Sequence, residues 1–152
     1  MLIVAGCGGG GAAQEHRQVV RGDGFRFDAP AGWTVTRSAR RVAAAAGDID
    51  RVEVTTFRLV KAYRPALFAA ATGELDRVAA QLARQLRGRV AAEETVRVDG
   101  RAARSYRIEY AEKAQEITFL LEGRREYQLL CRRDANGSRD ACAALVTSFR
   151  FA

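Results

Sequence analysis

The second half of the chain leaves few folds open. Four alternating segments follow one another with hardly a residue between them: Thr95 to Val98, Ala102 to Glu112, Gln115 to Glu122 and Glu126 to Arg133. Side chains two apart fall on one face of a strand. Tyr106, Ile108 and Tyr110 therefore share a face, as do Ile117, Phe119 and Leu121, and Tyr127, Leu129 and Cys131. Asp99-Gly100 is a two-residue hairpin signal, and Lys113-Ala114 and Gly123-Arg124 serve the other reversals. Strands joined by such short turns form an antiparallel meander with one apolar face. Arg104, Arg107 and Arg132 fall on alternate positions and read as its solvated face.

Upstream, Phe25-Arg-Phe27 alternates, Pro30 ends pairing, Gly32 permits a reversal, and Trp33 opens the next strand, to Arg37, as a core anchor. Val42 to Ala46 and Arg51 to Val60 are further strands, the latter ended by Tyr63-Arg64-Pro65. From Pro65 the period changes. Leu75, Val78, Ala79, Leu82 and Leu86 keep the i, i+3, i+4 spacing of an apolar helix stripe that ends at Gly88. Gly73 predicts a break near its start, leaving Ala66 to Ala71 as a separate turn. The stripe belongs against the sheet. Asn136-Gly137-Ser138, which also satisfies a glycosylation sequon, reads as a turn into a short helix capped by Ser138, with Asp140 in its first turn. Phe149-Arg150-Phe151 makes a final short strand.

A chain of 152 residues suits one domain. The net charge of +7 is carried almost wholly by arginine, since Lys61 and Lys113 are the only lysines. Arginine for lysine alongside many alanines is the mark of GC-rich coding, and it competes with a polyanion-binding surface as the explanation. Arg40-Arg41, Arg124-Arg125 and Arg132-Arg133 are dispersed pairs that a fold could bring together on one sheet edge.

At the N-terminus, Val4-Ala5-Gly6-Cys7 has the form of a bacterial lipobox, in which small residues precede a cysteine that becomes lipidated. Gly8 to Gly11 and the polar run to Arg21 suit a flexible tether. Only Met1 to Gly6 precede Cys7, against the roughly 7–15 apolar residues of a secretory signal, so the lipobox reading expects a start further upstream. Gly6 to Gly11 also satisfies Gly-x-Gly-x-x-Gly with Asp28 beyond it, but consecutive strands follow in place of alternating strand and helix, and a dinucleotide site fails.

Phe25-x-Phe27-x-x-Pro30-x-Gly32-Trp33, the central helix, Val98-Asp99-Gly100-Arg101-Ala102-Ala103, Tyr127-x-Leu129-x-Cys131 and Ser148-Phe149-x-Phe151 together resemble the PsbP-like family over about residues 24–152. The resemblance implies an α+β fold: an antiparallel β-sheet with a long helix packed on it and a short C-terminal helix, the PsbP-like α/β/α sandwich. It also implies a binding or accessory role, since the family holds extrinsic photosystem subunits, a nuclear-import accessory protein and many bacterial lipoproteins. The bacterial lipoprotein branch is the nearest likeness, because of Cys7 and the paired late cysteines.

Cys131 in the last long strand and Cys142 in the following helix are expected to form a disulfide in an exported protein, the alternative being two buried thiols. Cys7 is then left for lipid. No Cys-x-x-Cys occurs, and no metal or cofactor is expected. His16, the only histidine, lies in the tether, which leaves the domain without the base of a catalytic triad. Glu93-Glu94 and Glu109/Glu112 read as surface carboxylates, and no catalytic residue is assigned. The expected organisation is a truncated lipoprotein signal over residues 1–7, a Gly-rich tether over 8–23 and a PsbP-like domain over 24–152. The expected role is a noncatalytic, lipid-anchored envelope protein on the outer face of a bacterial cytoplasmic membrane, binding a protein, envelope component or small ligand. The alternative is a soluble basic domain for nucleic acid or another polyanion.

Overall fold

The computed structural model describes residues 16–152. Its strands are β1 (Arg17–Gly22), β2 (Phe25–Pro30), β3 (Thr34–Arg37), β4 (Arg41–Ala46), β5 (Asp50–Arg58), β6 (Arg89–Val98), β7 (Arg101–Tyr110), β8 (Lys113–Glu122), β9 (Arg125–Asp134) and β10 (Arg150–Phe151). The helices are α1 (Phe68–Gln85), entered through a 3₁₀ turn at Pro65–Leu67, and α2 (Asp140–Ser148). A seven-stranded sheet runs β3-β4-β5-β9-β8-β7-β6, and a three-stranded sheet runs β1-β2-β10. Every pairing is antiparallel.

The large sheet is buried on both faces, which corrects the expectation of a meander with one apolar and one solvated face. Register places Tyr106 beside Ile117 and Ile117 beside Leu130. On that face Leu75 and Ala79 of α1 pack against Tyr106, Ile117 and Phe119. Leu129 and Cys131, one residue out of phase, face the other way and join a larger core with Phe25, Phe27, Leu145 and Phe149. The small sheet and α2 cover this second face. Arg104 is accordingly no solvated residue: its side chain is 14% exposed and lies under α1.

The anchor of α1 is polar. Tyr106, itself buried, donates its hydroxyl to Asp76 Oδ1, and Arg104 Nε donates to the same oxygen at 3.1 Å. The Tyr106 hydroxyl bond, opposed by partial burial and aided by the Arg104 guanidinium, holds the Asp76 carboxyl below its ordinary 3.8. A depressed carboxylate pKa contributes stability that is present above the unfolded value and lost as pH falls through the folded one. Asp76→Asn should therefore lower the melting temperature near neutrality, by a loss of at most about 1 kcal/mol, because the Asp76 carboxylate is itself 38% exposed. The gap between the thermal melts of the two proteins should begin to narrow below about pH 4 and close as the pH falls through the lower folded-state value. A gap that persisted or widened in acid would contradict the assignment.

Three further expectations are corrected. Arg17–Gly22 is strand β1, not tether: Val20 is 1% exposed and pairs with Phe27, so an apolar residue there has a place in the core. Residues 8–15 of the expected tether, like Cys7 and the lipobox, lie outside the described residues. Helix α1 runs unbroken through Gly73, which is solvent-exposed, so its unfavourable helix propensity of about 1 kcal/mol is outweighed by the stripe buried beyond it. The β7–β8 turn is Ala111-Glu112, both with left-handed φ (45° and 62°), rather than Lys113-Ala114. Ala114 is instead buried in the ladder, so the register demanded by the core overrides turn chemistry.

Trp33 is half-buried at the core's edge, in the turn before β3, rather than a central anchor. That turn is pinned by the Gln18 amide, which donates to the Pro30 carbonyl at 3.0 Å and the Trp33 carbonyl at 2.7 Å. The Asp99-Gly100 hairpin does more than reverse the chain. Asp99 Oδ2 accepts the Phe151 N–H at 3.1 Å, and the Arg101 guanidinium lies 4.3 Å over the Phe151 ring, so the β6–β7 turn captures β10.

Candidate functional site

A cleft of about 680 Å³ opens at one end of the strands. Its walls come from three separate places: the β3–β4 turn with Arg40 and Arg41, the end of β5 with Arg58, and the β8–β9 turn with Arg124 and Arg125. Phe25 and Val42, both buried, line it from the core side. Backbone bonds hold the three segments together. The Thr56 N–H donates to the Arg40 carbonyl at 2.8 Å, and the Leu59 N–H to the Arg124 carbonyl at 2.9 Å.

Five arginines and a single acidic residue, Asp23, thus line the cleft; Asp23 lies 3.7 Å from Arg125 and is almost fully exposed. Arg124 donates to the Val60 carbonyl at 3.2 Å. Arg40, Arg41 and Arg58 make no ion pair among the described residues. Arg58 and Arg125 are direct register partners across β5 and β9, so two like charges stand side by side on one face.

Of the three arginine pairs visible in the sequence, the fold brings two together and sends the third away. Arg132 pairs with Arg51 at the far end of the same two strands, where it donates to the carbonyls of Ile49 (3.0 Å) and Asp48 (3.1 Å). Arg133 is buried and ties up the turn after β9 through the carbonyls of Asp134 and Ala135. Arg58 escaped the sequence reading because it is a lone arginine at the end of a strand. Its register opposite Arg125 gave it a place in the cleft, and register across β5 and β9 carries no local signal.

Cys131 and Cys142 are joined, with Cα atoms 5.3 Å apart, and both are buried where α2 meets β9. Ser138 Oγ accepts the Asp140 N–H at 3.1 Å, so the expected cap sits one residue before the N-cap position, Arg139. The carboxylate pairs are engaged or apart. Glu109 meets Arg89 at 2.7 Å and Arg107 at 3.5 Å, Glu93 lies 3.6 Å from Arg104, and Glu112 occupies the hairpin turn. His16 is exposed, and its carbonyl accepts the Ala31 N–H. Among the described residues there is no cluster of His, Cys, Asp and Glu able to hold a metal, and no helix long and apolar enough to cross a membrane.

No family model and no curated protein matches the chain. Solved structures do. Cyanobacterial PsbP (CyanoP) from Synechocystis superposes with a TM-score of 0.64 at 16% identity, covering 98% of this chain and 99% of that one. A Bacteroides thetaiotaomicron protein superposes with a TM-score of 0.58 at 10% identity, covering 91% of this chain. This chain spans about half of that structure, 49% of its length. The fold is PsbP-like: mixed α+β, with antiparallel sheets, one long helix and a short C-terminal helix.

Proposed function

We propose that the chain is a noncatalytic accessory module, held by lipid on Cys7 at the outer face of a bacterial cytoplasmic membrane, where it binds a protein, envelope component or small ligand. The observation that carries this reading is the order of parts: Val4-Ala5-Gly6-Cys7, then Gly8 to Gly11, then a PsbP-like body. The Cys131–Cys142 bridge supports an oxidising compartment, since such bonds persist outside the cytosol. Carboxylates committed to arginines, and a single histidine far from the cleft lining, support a binding role over acid–base chemistry.

Metabolic labelling with a fatty-acid analogue tests the anchor, with the gene expressed from its own upstream sequence. Wild type should incorporate label and partition with membranes, and Cys7→Ser should do neither. Equal labelling of the two would end the anchored reading. The alternative, a soluble basic domain for a long polyanion, is favoured by the arginine convergence alone; it requires retention on heparin by a protein recovered free of membranes.

A further inference from the structure

We infer that the arginine cleft at the β3–β4, β5 and β8–β9 strand ends is a binding site for a small ligand bearing phosphate or diphosphate. The inference rests on the binding-module reading above, and not on the lipid anchor. Three observations converge.

The first is charge that the protein leaves uncompensated. Where arginines lie near carboxylates elsewhere they are ion-paired: Arg101 with Asp99 and Glu122, Arg104 with Asp76 and Glu93, Arg139 with Glu116. The cleft is lined by five arginines and by one acidic residue, Asp23, which pairs with Arg125 alone. Arg58 and Arg125 are direct cross-strand partners, an arrangement that destabilises a sheet when nothing neutralises it. An anion bridging the two removes that repulsion.

The second is donor geometry. Guanidinium is a planar fork that pairs bidentately with phosphate oxygens, and several forks converging from different elements suit a group with oxygens on every side. A single carboxylate offers two oxygens and one charge, too little for so many cations.

The third is shape and lining. At about 680 Å³ the cleft has the size of a small-molecule site rather than a groove for a long polymer. Phe25 and Val42 line it beneath the arginines, and Phe57 lies beside them, so the phosphate would sit at the rim with a less polar part of the ligand against the rings.

Phosphate of this kind reaches an envelope protein either on a soluble molecule or on a lipid headgroup, and two probes separate the sources. Calorimetric titration of the purified chain uses inorganic pyrophosphate. Flotation uses phosphatidylcholine vesicles with and without phosphatidylglycerol. Arg40→Ala and Arg58→Ala, both at exposed side chains, should each weaken binding of the effective probe about tenfold, the value of one charge-assisted contact. Arg77→Ala, an exposed arginine on α1, removes the same charge elsewhere and should leave binding unchanged. Pyrophosphate binding marks a soluble ligand, and flotation only with phosphatidylglycerol marks a headgroup. Either, with the stated variant pattern, supports the site. Binding of neither probe, or equal losses in Arg77→Ala and Arg58→Ala, overturns it. Lipid labelling at Cys7 is untouched by any of these results, so the two proposals fail separately.

Discussion

Phe149→Ala should cost about 3–5 kcal/mol, the usual loss when a fully buried phenylalanine is truncated. Phe149 is 0% exposed and stands at the joint where α2 ends and β10 begins. Its ring stacks on Phe25 at 5.6 Å and meets Tyr127 at 5.9 Å and Phe151 at 5.3 Å, edge on in both cases. Those three rings come from β2, β9 and β10, so one side chain ties the small sheet to the large one. Removing it opens a cavity between layers that cannot close without moving a strand. Since whole-domain stability is about 5–15 kcal/mol, the variant should be at the edge of folding at room temperature. Urea unfolding followed by Trp33 fluorescence measures the loss, and Phe149→Leu, which keeps most of the volume, should lose under about 1.5 kcal/mol. A loss below about 1 kcal/mol for the alanine variant would show that the layers are held elsewhere.

That joint also shows where the sequence speaks and where it falls silent. Alternation in Ala102 to Glu112, Gln115 to Glu122 and Glu126 to Arg133 reports strands, because a side-chain period of two leaves a local trace. The trace does not say what lies above and below. Ile117, Leu120 and Leu129 are all buried although they lie on different faces, because α1 covers one side and the small sheet the other. Arg104 looked solvated for the same reason: the residue that claims it, Asp76, is on another element. Strand β1 was hidden by the glycines before it, and only pairing with β2 identifies Val20 as core. The turn at Ala111-Glu112 carries no glycine or asparagine to announce its left-handed backbone.

The candidate site was legible only in fragments. Arg40-Arg41 and Arg124-Arg125 stand out as doublets, but nothing near either predicts the other as a neighbour. The three turn and strand-end segments meet because β4, β5 and β9 are adjacent in the sheet, an order that β9 reaches only after the chain has gone through α1 and the β6–β8 meander. Short motifs of the family likeness fared differently, each having a local task. Asp99 receives β10, Ser148 Oγ accepts the Asp28 N–H at 2.7 Å, and Phe25 and Phe27 fill the core.

Loss of the Cys131–Cys142 bridge should be the second large effect, about 2–3 kcal/mol, from the chain entropy released when a link with sequence separation 11 is cut. For a domain of this size that corresponds to a melting temperature lower by about 6–10 °C. The consequences should be uneven. Helix α2 has nine residues, too few to persist on its own, and it depends on Ala144, Leu145 and the bridge to stay on the sheet. Cys131 is placed at the centre of β9, paired with Val52 and Glu116, and will hold its position without the bond. The freedom gained therefore belongs to α2, and amide exchange should accelerate through Ala143 to Thr147 well before it does in β8 or β9. The proper variant is Cys131→Ala with Cys142→Ala, because serine would bury two hydroxyls as well and inflate the loss. A double alanine variant that melts within about 1 °C of wild type would show that packing alone seats the helix. Fast exchange spread evenly over the sheet would show instead that the bridge supports the whole core.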